Sequence, residues 1–279
     1  ELDGTQLAEQ VYFVNHLYAF ENIEMGDQKG DQLKIFNAVP GRKITRLLAR
    51  RYVNHRIDQE NIKTKDLVVF TSGKQKGMGV LVTDYTLPGK SMSVSLWLPA
   101  LRKVRRMNEP EHNEIWAGSI LTYGDIYLRR PDEETHEIVD KKSLDDCLET
   151  MQYKADEWPD KSSPEEDCSD IGREVYLLKS TPKAAVWWYD YRLQGVDTKY
   201  FTDYRIDYYK DGVRIKHMAK SWHQVEHDDP RAVVLKYWYT RSGINKQQSL
   251  IVMPVDSIKI NTDRNDSFWS EATLRKIRR

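Results

Sequence analysis

No apolar run in this 279-residue sequence approaches the ~20 residues that a membrane-spanning helix needs. Passage across a bilayer by helices is therefore excluded. Net charge is missing too: 43 basic and 43 acidic residues cancel. That argues against a nucleic-acid partner, because such binding needs a net or segregated positive field. Cysteine is nearly absent, and around Cys147 and Cys168 no CxxC spacing or histidine set completes a zinc site. Catalytic signatures are lacking as well, with no GxSxG, no P-loop and no GxGxxG. Seven histidines (His16, His55, His112, His136, His217, His223 and His227) are scattered, and "WHQVEH" lacks the HExxH order. Asp145-Asp146 and Glu165-Glu166-Asp167 read as a solvated acidic loop rather than a catalytic pair. A non-enzymatic protein without metal or cofactor is expected.

What the sequence does have is tyrosine and tryptophan, 16 and 8 against 6 phenylalanines. Such residues put an apolar body in the interior and a polar tip in water. The prevailing period is two. The exception is the start, "GTQLAEQVYFVNHLYAF", where Leu7, Val11, Val14 and Tyr18 fall at helical spacing behind Thr5, the expected N-cap. Strand-like runs follow, bounded by Gly, Pro or Asp: "KITRLLARRYVNHRI", "KDLVVFTS", "GVLVTDYTL", "KSMSVSLWLP", "REVYLLKST", "AAVWWYDYRL", "AVVLKYWYTR" and "SLIVMPVDSIKIN". Asp211-Gly212, between "DYRIDYY" and "VRIKHM", signals a tight hairpin, and Ser242-Gly243 a second turn. About ten strands on short connections predict a mainly β (α+β) chain built as one curled antiparallel sheet. The expectation is a single domain over residues 1–279 with one insertion.

That insertion, about Asp140 to Asp170, is acidic and holds both cysteines. An even count at moderate separation permits a Cys147–Cys168 disulfide and an oxidising compartment; two unrelated thiols in a loop are the other reading. A structureless stretch of this length is expected to be a lid or disordered rather than packed. The chain opens "ELDGTQLAEQVY" without an initiator Met, as a processed or trimmed chain would, so export is not legible there; an exported protein, its signal peptide absent, is inferred from its other features.

In "SLWLPALRKVRR" a strand passes through Pro99 into four cations, Arg102, Lys103, Arg105 and Arg106. A solvated turn and an anion-docking edge both read this way. Strand alternation places Val80 and Val82, then Met92, Val94, Leu96 and Leu98, on apolar faces, with Trp97 across from the latter. Trp187-Trp188-Tyr189, Tyr208-Tyr209 and Tyr237-Trp238-Tyr239 put aromatics on both faces of their strands, and their inward members stay undecided.

The run "DYTLPGKSMSVSLWLPALRKVRRMNEPEHNEIWAGSILTYGDI" resembles the signature of outer-membrane lipoprotein-sorting-like proteins. These are relatives of the carrier LolA, often associated with resistance-nodulation-division (RND) exporters. The matching features are Trp97 to Leu101, Arg102 to Arg106, Trp116-Ala117-Gly118-Ser119 and Thr122-Tyr123-Gly124-Asp125. The opening "GTQLAEQVY" and closing "DSIKINTDRNDSFWSEATLR" also resemble that family's first helix and tail. Gly124 stands where such proteins tend to carry an acidic residue, and the acidic loop is longer than usual.

The resemblance implies an incomplete barrel wrapped round helices, with an apolar hollow. It implies a periplasmic carrier that binds a lipid or lipoprotein acyl chain and passes it toward the outer membrane. An RND-type exporter or an outer-membrane acceptor would be the protein partner. Hollow candidates are Val80, Val82, Met92, Val94, Leu96, Leu98, Trp97, Trp116 and Tyr123. Arg102, Lys103, Arg105 and Arg106 would meet a headgroup or partner, and the acidic insertion is a candidate mobile cover. The alternative is an interaction or assembly protein on the same fold, without cargo.

Overall fold

The computed structural model describes residues 2–26, 31–57, 59–159 and 164–276. Residues 160–163, inside the acidic insertion, lie outside the described residues. Helix α1 (Gly4–Asn15) is followed by β1 (Asn22–Met25), β2 (Leu33–Ala38), β3 (Thr45–Asn54), β4 (Ile62–Phe70), β5 (Gly79–Tyr85), β6 (Ser93–Leu98) and β7 (Lys103–Met107). A π-helical turn (Gly124–Leu128) leads to β8 (Glu134–Ser143), β9 (Glu174–Pro182), β10 (Tyr191–Asp197) and β11 (Asp203–Lys210). Strands β12 (Val213–Gln224), β13 (Val233–Ser242), β14 (Gln248–Val252) and β15 (Lys259–Ile260) precede the short helix α2 (Glu271–Lys276). The chain is mainly antiparallel β with few helices, as expected.

Two compact units divide the chain. The first comprises Glu1–Ala19, Phe36–Thr45 and His112–Val252, the second Phe20–Ile35, Arg46–Glu111 and Met253–Arg279.

In the first unit, β8 to β14 form an antiparallel meander in chain order. Register shifts at Gly195/Val196, Tyr208/Tyr209 and Ser221/Trp222 mark bulges, which bend and twist a sheet. The β11–β12 hairpin turns at Asp211 and Gly212, both at positive φ, as that dipeptide predicts. Helix α1 is capped by Asp3 rather than Thr5. Asp3 accepts from the Gln6 backbone while the Gln6 side chain accepts from the Asp3 backbone, a reciprocal pairing that Thr5 could not make. Leu7, Ala8 and Val11 pack on Leu178 and Val196 of the sheet. The helix starts so close to β8 that a Cβ on Gly4 would lie 2.4 Å from the His136 carbonyl oxygen.

"AAVWWYDYRL" is only half strand, because β10 begins at Tyr191. Trp187, Trp188 and Tyr189 lie before it in an irregular segment. There Trp188 stacks on Tyr208 with centroids 5.1 Å apart, and Tyr189 meets Tyr208 edge-on. Aromatic packing overrides their strand preference.

The acidic insertion is packed instead of free. Its Leu144, Leu148, Met151 and Trp158 join a core cluster with Val233, Tyr237, Tyr239 and Leu250. The cysteines are disulfide-bonded, beside a two-way backbone pairing of Leu148 with Asp167. The Tyr237 hydroxyl donates to the Leu148 carbonyl at 2.7 Å, and Ser221 donates to Asp167 at 2.5 Å. A run that looks acidic in sequence thus uses Leu144, Leu148, Met151 and Trp158 to cover the sheet. Reducing the disulfide, which spans 21 positions, should lower stability by about 3 kcal/mol in the chain-entropy model. Denaturant melts with and without reductant measure this; coincident curves would show that the bridge constrains nothing.

In the second unit, β3 to β7 form another antiparallel meander, with β1 on β3 and β15 on β1. One sheet face is closed by the chain's end. Leu67, Val69, Leu81 and Trp97 pack under Trp269 and Leu274, and the Trp269 indole donates to the Tyr52 carbonyl at 2.9 Å. Glu271, the first residue of α2, accepts from Ser95 and from Arg106, each at 2.9 Å.

Candidate functional site

The aliphatic alternation of β5 and β6 resolves into a single face. Val82 pairs with Val94 and Val80 with Leu96, so all four point the same way. Register extends that face through Asp66, Val68 and Phe70 of β4 to Ala49, Arg51 and Val53 of β3, so the Arg51–Asp66 ion pair at 2.7 Å sits among its apolar residues. Val82, Met92 and Val94 are buried, while Val80, Leu96 and Leu98 are half-buried. Trp97 belongs to the opposite face, in the core under α2. Trp116 is buried and Tyr123 half-buried, and both belong to the other unit. The nine hollow candidates are therefore distributed: six aliphatic residues in one unit, Trp97 behind them, and two aromatics elsewhere.

The basic run is partly turn and partly edge strand. Arg102 takes a positive φ at the turn where its N–H bonds the Pro99 carbonyl. Lys103 and Arg105 lie opposite Leu98 and Leu96, on the aliphatic face, whereas Arg106 is held by Glu271. Cations on an edge strand also discourage pairing with another sheet.

In the first unit the sheet face toward α1 carries charge where an alternation reading expects an apolar lining. His136, Ser180, Arg192, Tyr208 and Lys216 form one lateral row across β8 to β12. Three ion pairs are buried there. Arg192 donates to Glu134 at 2.5 Å, Lys220 to Asp203 at 3.0 Å, and Lys216 to Asp125. Asp125 also accepts from Tyr208 at 2.9 Å, Arg129 at 3.3 Å and the Thr122 backbone at 2.8 Å. Burial works to raise the Asp125 pKa, but Lys216 and Arg129 outweigh it and hold the carboxyl well below the usual range. For Glu134 the same contest, won by Arg192, ends at about 2. Gly124 has a steric reason: a Cβ there would lie 2.7 Å from the His112 carbonyl oxygen. An acidic side chain would not fit.

Sequence reasoning singled out Asp125 only as part of a motif and missed Arg192, Lys216, Lys220, Glu134 and Asp203. The available signal was parity, since Lys216 and Lys220 alternate in step with Met218.

On the reverse face, His217 joins sheet to insertion. It bonds Asp207 at 2.7 Å and lies 3.5 Å from Glu149, which also takes Arg205 at 3.2 Å. Burial alone would lower the His217 pKa, but those two carboxylates raise it to about 9. A raised folded pKa means that its stabilisation is complete below about 6.5 and lost as pH climbs through about 9. At ~1.4 kcal/mol per pKa unit this is worth up to ~3 kcal/mol. Denaturant midpoints should therefore fall over that window, and His217→Gln should flatten the dependence. An unchanged slope in the variant would assign the effect to other groups.

A protein-family model described as "-like: Uncharacterized protein" matches residues 62–276. No curated protein matches the chain. Among solved structures, a DUF1329 family protein from Desulfovibrio piger superposes with a TM-score of 0.71 at 15% identity, covering 98% of this chain and 100% of that one. A putative outer membrane lipoprotein-sorting protein domain from Vibrio parahaemolyticus gives 0.67 at 13% identity, with 98% of each chain covered. A LolA superfamily protein from Nitrosomonas europaea gives 0.60 at 12%, covering 98% of this chain and 100% of that one. At such identities the likeness is one of fold.

Proposed function

Because the chain belongs to the family whose model spans residues 62–276 and has a LolA-like fold, we propose that it is a periplasmic carrier for a lipid or lipoprotein acyl chain. The observation that carries this reading is the aliphatic face of β5 and β6, bordered on one side by Lys103 and Arg105 and on the other by the Arg51–Asp66 ion pair. An apolar strand face takes up a methylene chain without polar penalty, and edge cations pair with its phosphate or carboxylate end. Lipoprotein sorting, the role for which the Vibrio parahaemolyticus neighbour is named, agrees with that chemistry. The disulfide suits an oxidising compartment. An RND-type exporter as donor, or an outer-membrane acceptor, belongs to the same proposal, as does the action of residues 1–279 as one carrier domain.

Organic extraction of the purified protein followed by mass spectrometry tests the cargo. Acyl lipid recovered in stoichiometric amount is the expected result. Clean protein that also fails to take up an acyl probe leaves an assembly protein on this fold.

The edge has its own test. Replacing Arg102, Lys103 and Arg105 by Ser, with Arg106 kept because it anchors α2, should change stability by less than ~0.5 kcal/mol. Binding to anionic vesicles should weaken, as high salt would also cause. If neither mutation nor salt alters vesicle binding, the cations serve only to protect the sheet edge.

A further inference from the structure

We infer that the pocket between α1, the π-helical turn and the sheet face of β10 to β13 binds a small oxyanion, a phosphate or carboxylate group. The pocket measures about 60 Å³ and is lined by Asp125, Arg129, Arg192, Gln194, Lys220 and Trp238, among others. Since ~10–15 Å³ of such space holds one water, it takes a group of roughly four or five heavy atoms. A tetrahedral phosphate or a carboxylate with its first carbon is of that size. An acyl chain is far too large, so this site is separate from the aliphatic strand face and does not rest on the carrier reading.

Charge and hydrogen bonding both favour an anion. Four cations, Arg129, Arg192, Lys216 and Lys220, face three carboxylates, Asp125, Glu134 and Asp203. One positive charge is left over in a dry setting, where it acts strongly. Arg130 and the histidines His16 and His136 also line the pocket. Three buried polar atoms on lining residues have no hydrogen-bond partner: the Arg129 Nε donor, the Trp238 Nε1 donor and the Gln194 Oε1 acceptor. Trp238 and Gln194 are only 7% and 3% exposed. Buried orphans of this kind are destabilising unless something meets them. With a small rotation of these side chains, whose orphan atoms expose almost no surface, two donors and one acceptor match an oxyanion that accepts twice and donates through one protonated oxygen, as monohydrogen phosphate does. A carboxylate would meet the two donors alone.

The source of the anion could be free phosphate or the headgroup of a phospholipid, and the experiment separates them. Inorganic phosphate is titrated calorimetrically into the full chain, and in parallel a monoacyl glycerophosphate is used below its micellar concentration. Saturable binding at one site is expected. Trp238→Phe, which keeps an aromatic side chain but removes the N–H together with one ring of the indole, should weaken it about tenfold or more, the worth of one charge-assisted hydrogen bond. Arg129→Lys keeps the charge, removes Nε and serves as the second variant should the first not fold. Equal affinity for the two titrants identifies free phosphate as the ligand, and at least tenfold preference for the glycerophosphate identifies a headgroup. Weakening by either folded variant supports the site. Absence of binding by both titrants, or binding unchanged in both variants, overturns it. Failure of acyl uptake with phosphate binding intact would count against the carrier alone.

Discussion

Replacing Asp125 by Asn should lower the unfolding free energy by about 3–5 kcal/mol, the usual cost of removing one partner from a buried ion pair. The side chain accepts from Lys216, Arg129, Tyr208 and Thr122, and it is 1% exposed. Asparagine keeps the shape but leaves Lys216 and Arg129 without a counter-charge in an environment that water does not relieve. Exposed pairs set the contrast: separating Arg56 from Glu21, both about half exposed, should cost less than ~1 kcal/mol. Urea melts of the two single variants beside the wild type give both numbers. A cost below ~1 kcal/mol for Asp125→Asn would mean that water reaches the network, and the oxyanion pocket would lose its dry setting with it. Acid should act in the same direction. Glu134, with its pKa depressed to about 2, contributes stability that is present above the ordinary carboxylate range and is lost as pH falls toward that value.

Val94→Asp, or Leu96→Glu on the neighbouring half-buried position, should abolish uptake of a fluorescent fatty-acyl probe. Burying a chain of ~14 carbons is worth on the order of 10 kcal/mol at ~0.8 per methylene, before ordering costs. A carboxylate placed in its path must be desolvated or neutralised, which removes much of that gain. Val94 is buried, pairs with Val82 and sits at the centre of the aliphatic face, so the substitution also threatens the fold. Circular dichroism must show native structure before loss of binding counts. Val94→Phe supplies the milder comparison, filling space without charge at about 1–3 kcal/mol of strain. If a folded Val94→Asp protein binds the probe as wild type does, the chain lies elsewhere and this face is ordinary core.

The sequence by itself determined the local frame. Alternation in "GVLVTDY" and "SVSLWL" marked two strands and the side on which their aliphatic residues lie. Asp211-Gly212 fixed a hairpin because few other pairs accept positive φ twice. Leu7, Val11 and Val14 marked the buried stripe of α1, and the residues around "WLPALRKVRR" carried the resemblance to lipoprotein-sorting-like proteins. These are short-range signals, each set by backbone geometry within a few residues.

Tertiary structure decided what each face meets. Lys216, Lys220 and Arg192 look solvated in sequence, since a charge is tolerated inside only beside a partner, and their partners come from distant segments. Asp125 lies 91 positions from Lys216, and Glu134 lies 58 from Arg192. The insertion reads as acidic because charges outnumber its few apolar residues, yet Leu144, Leu148, Met151 and Trp158 find a sheet to cover. Trp97 and Val94 stand on opposite faces of one strand. Only the return of α2, some 170 residues later, closes one of those faces and makes Trp97 core. Period tells which side chains travel together; burial depends on what the rest of the chain brings to them.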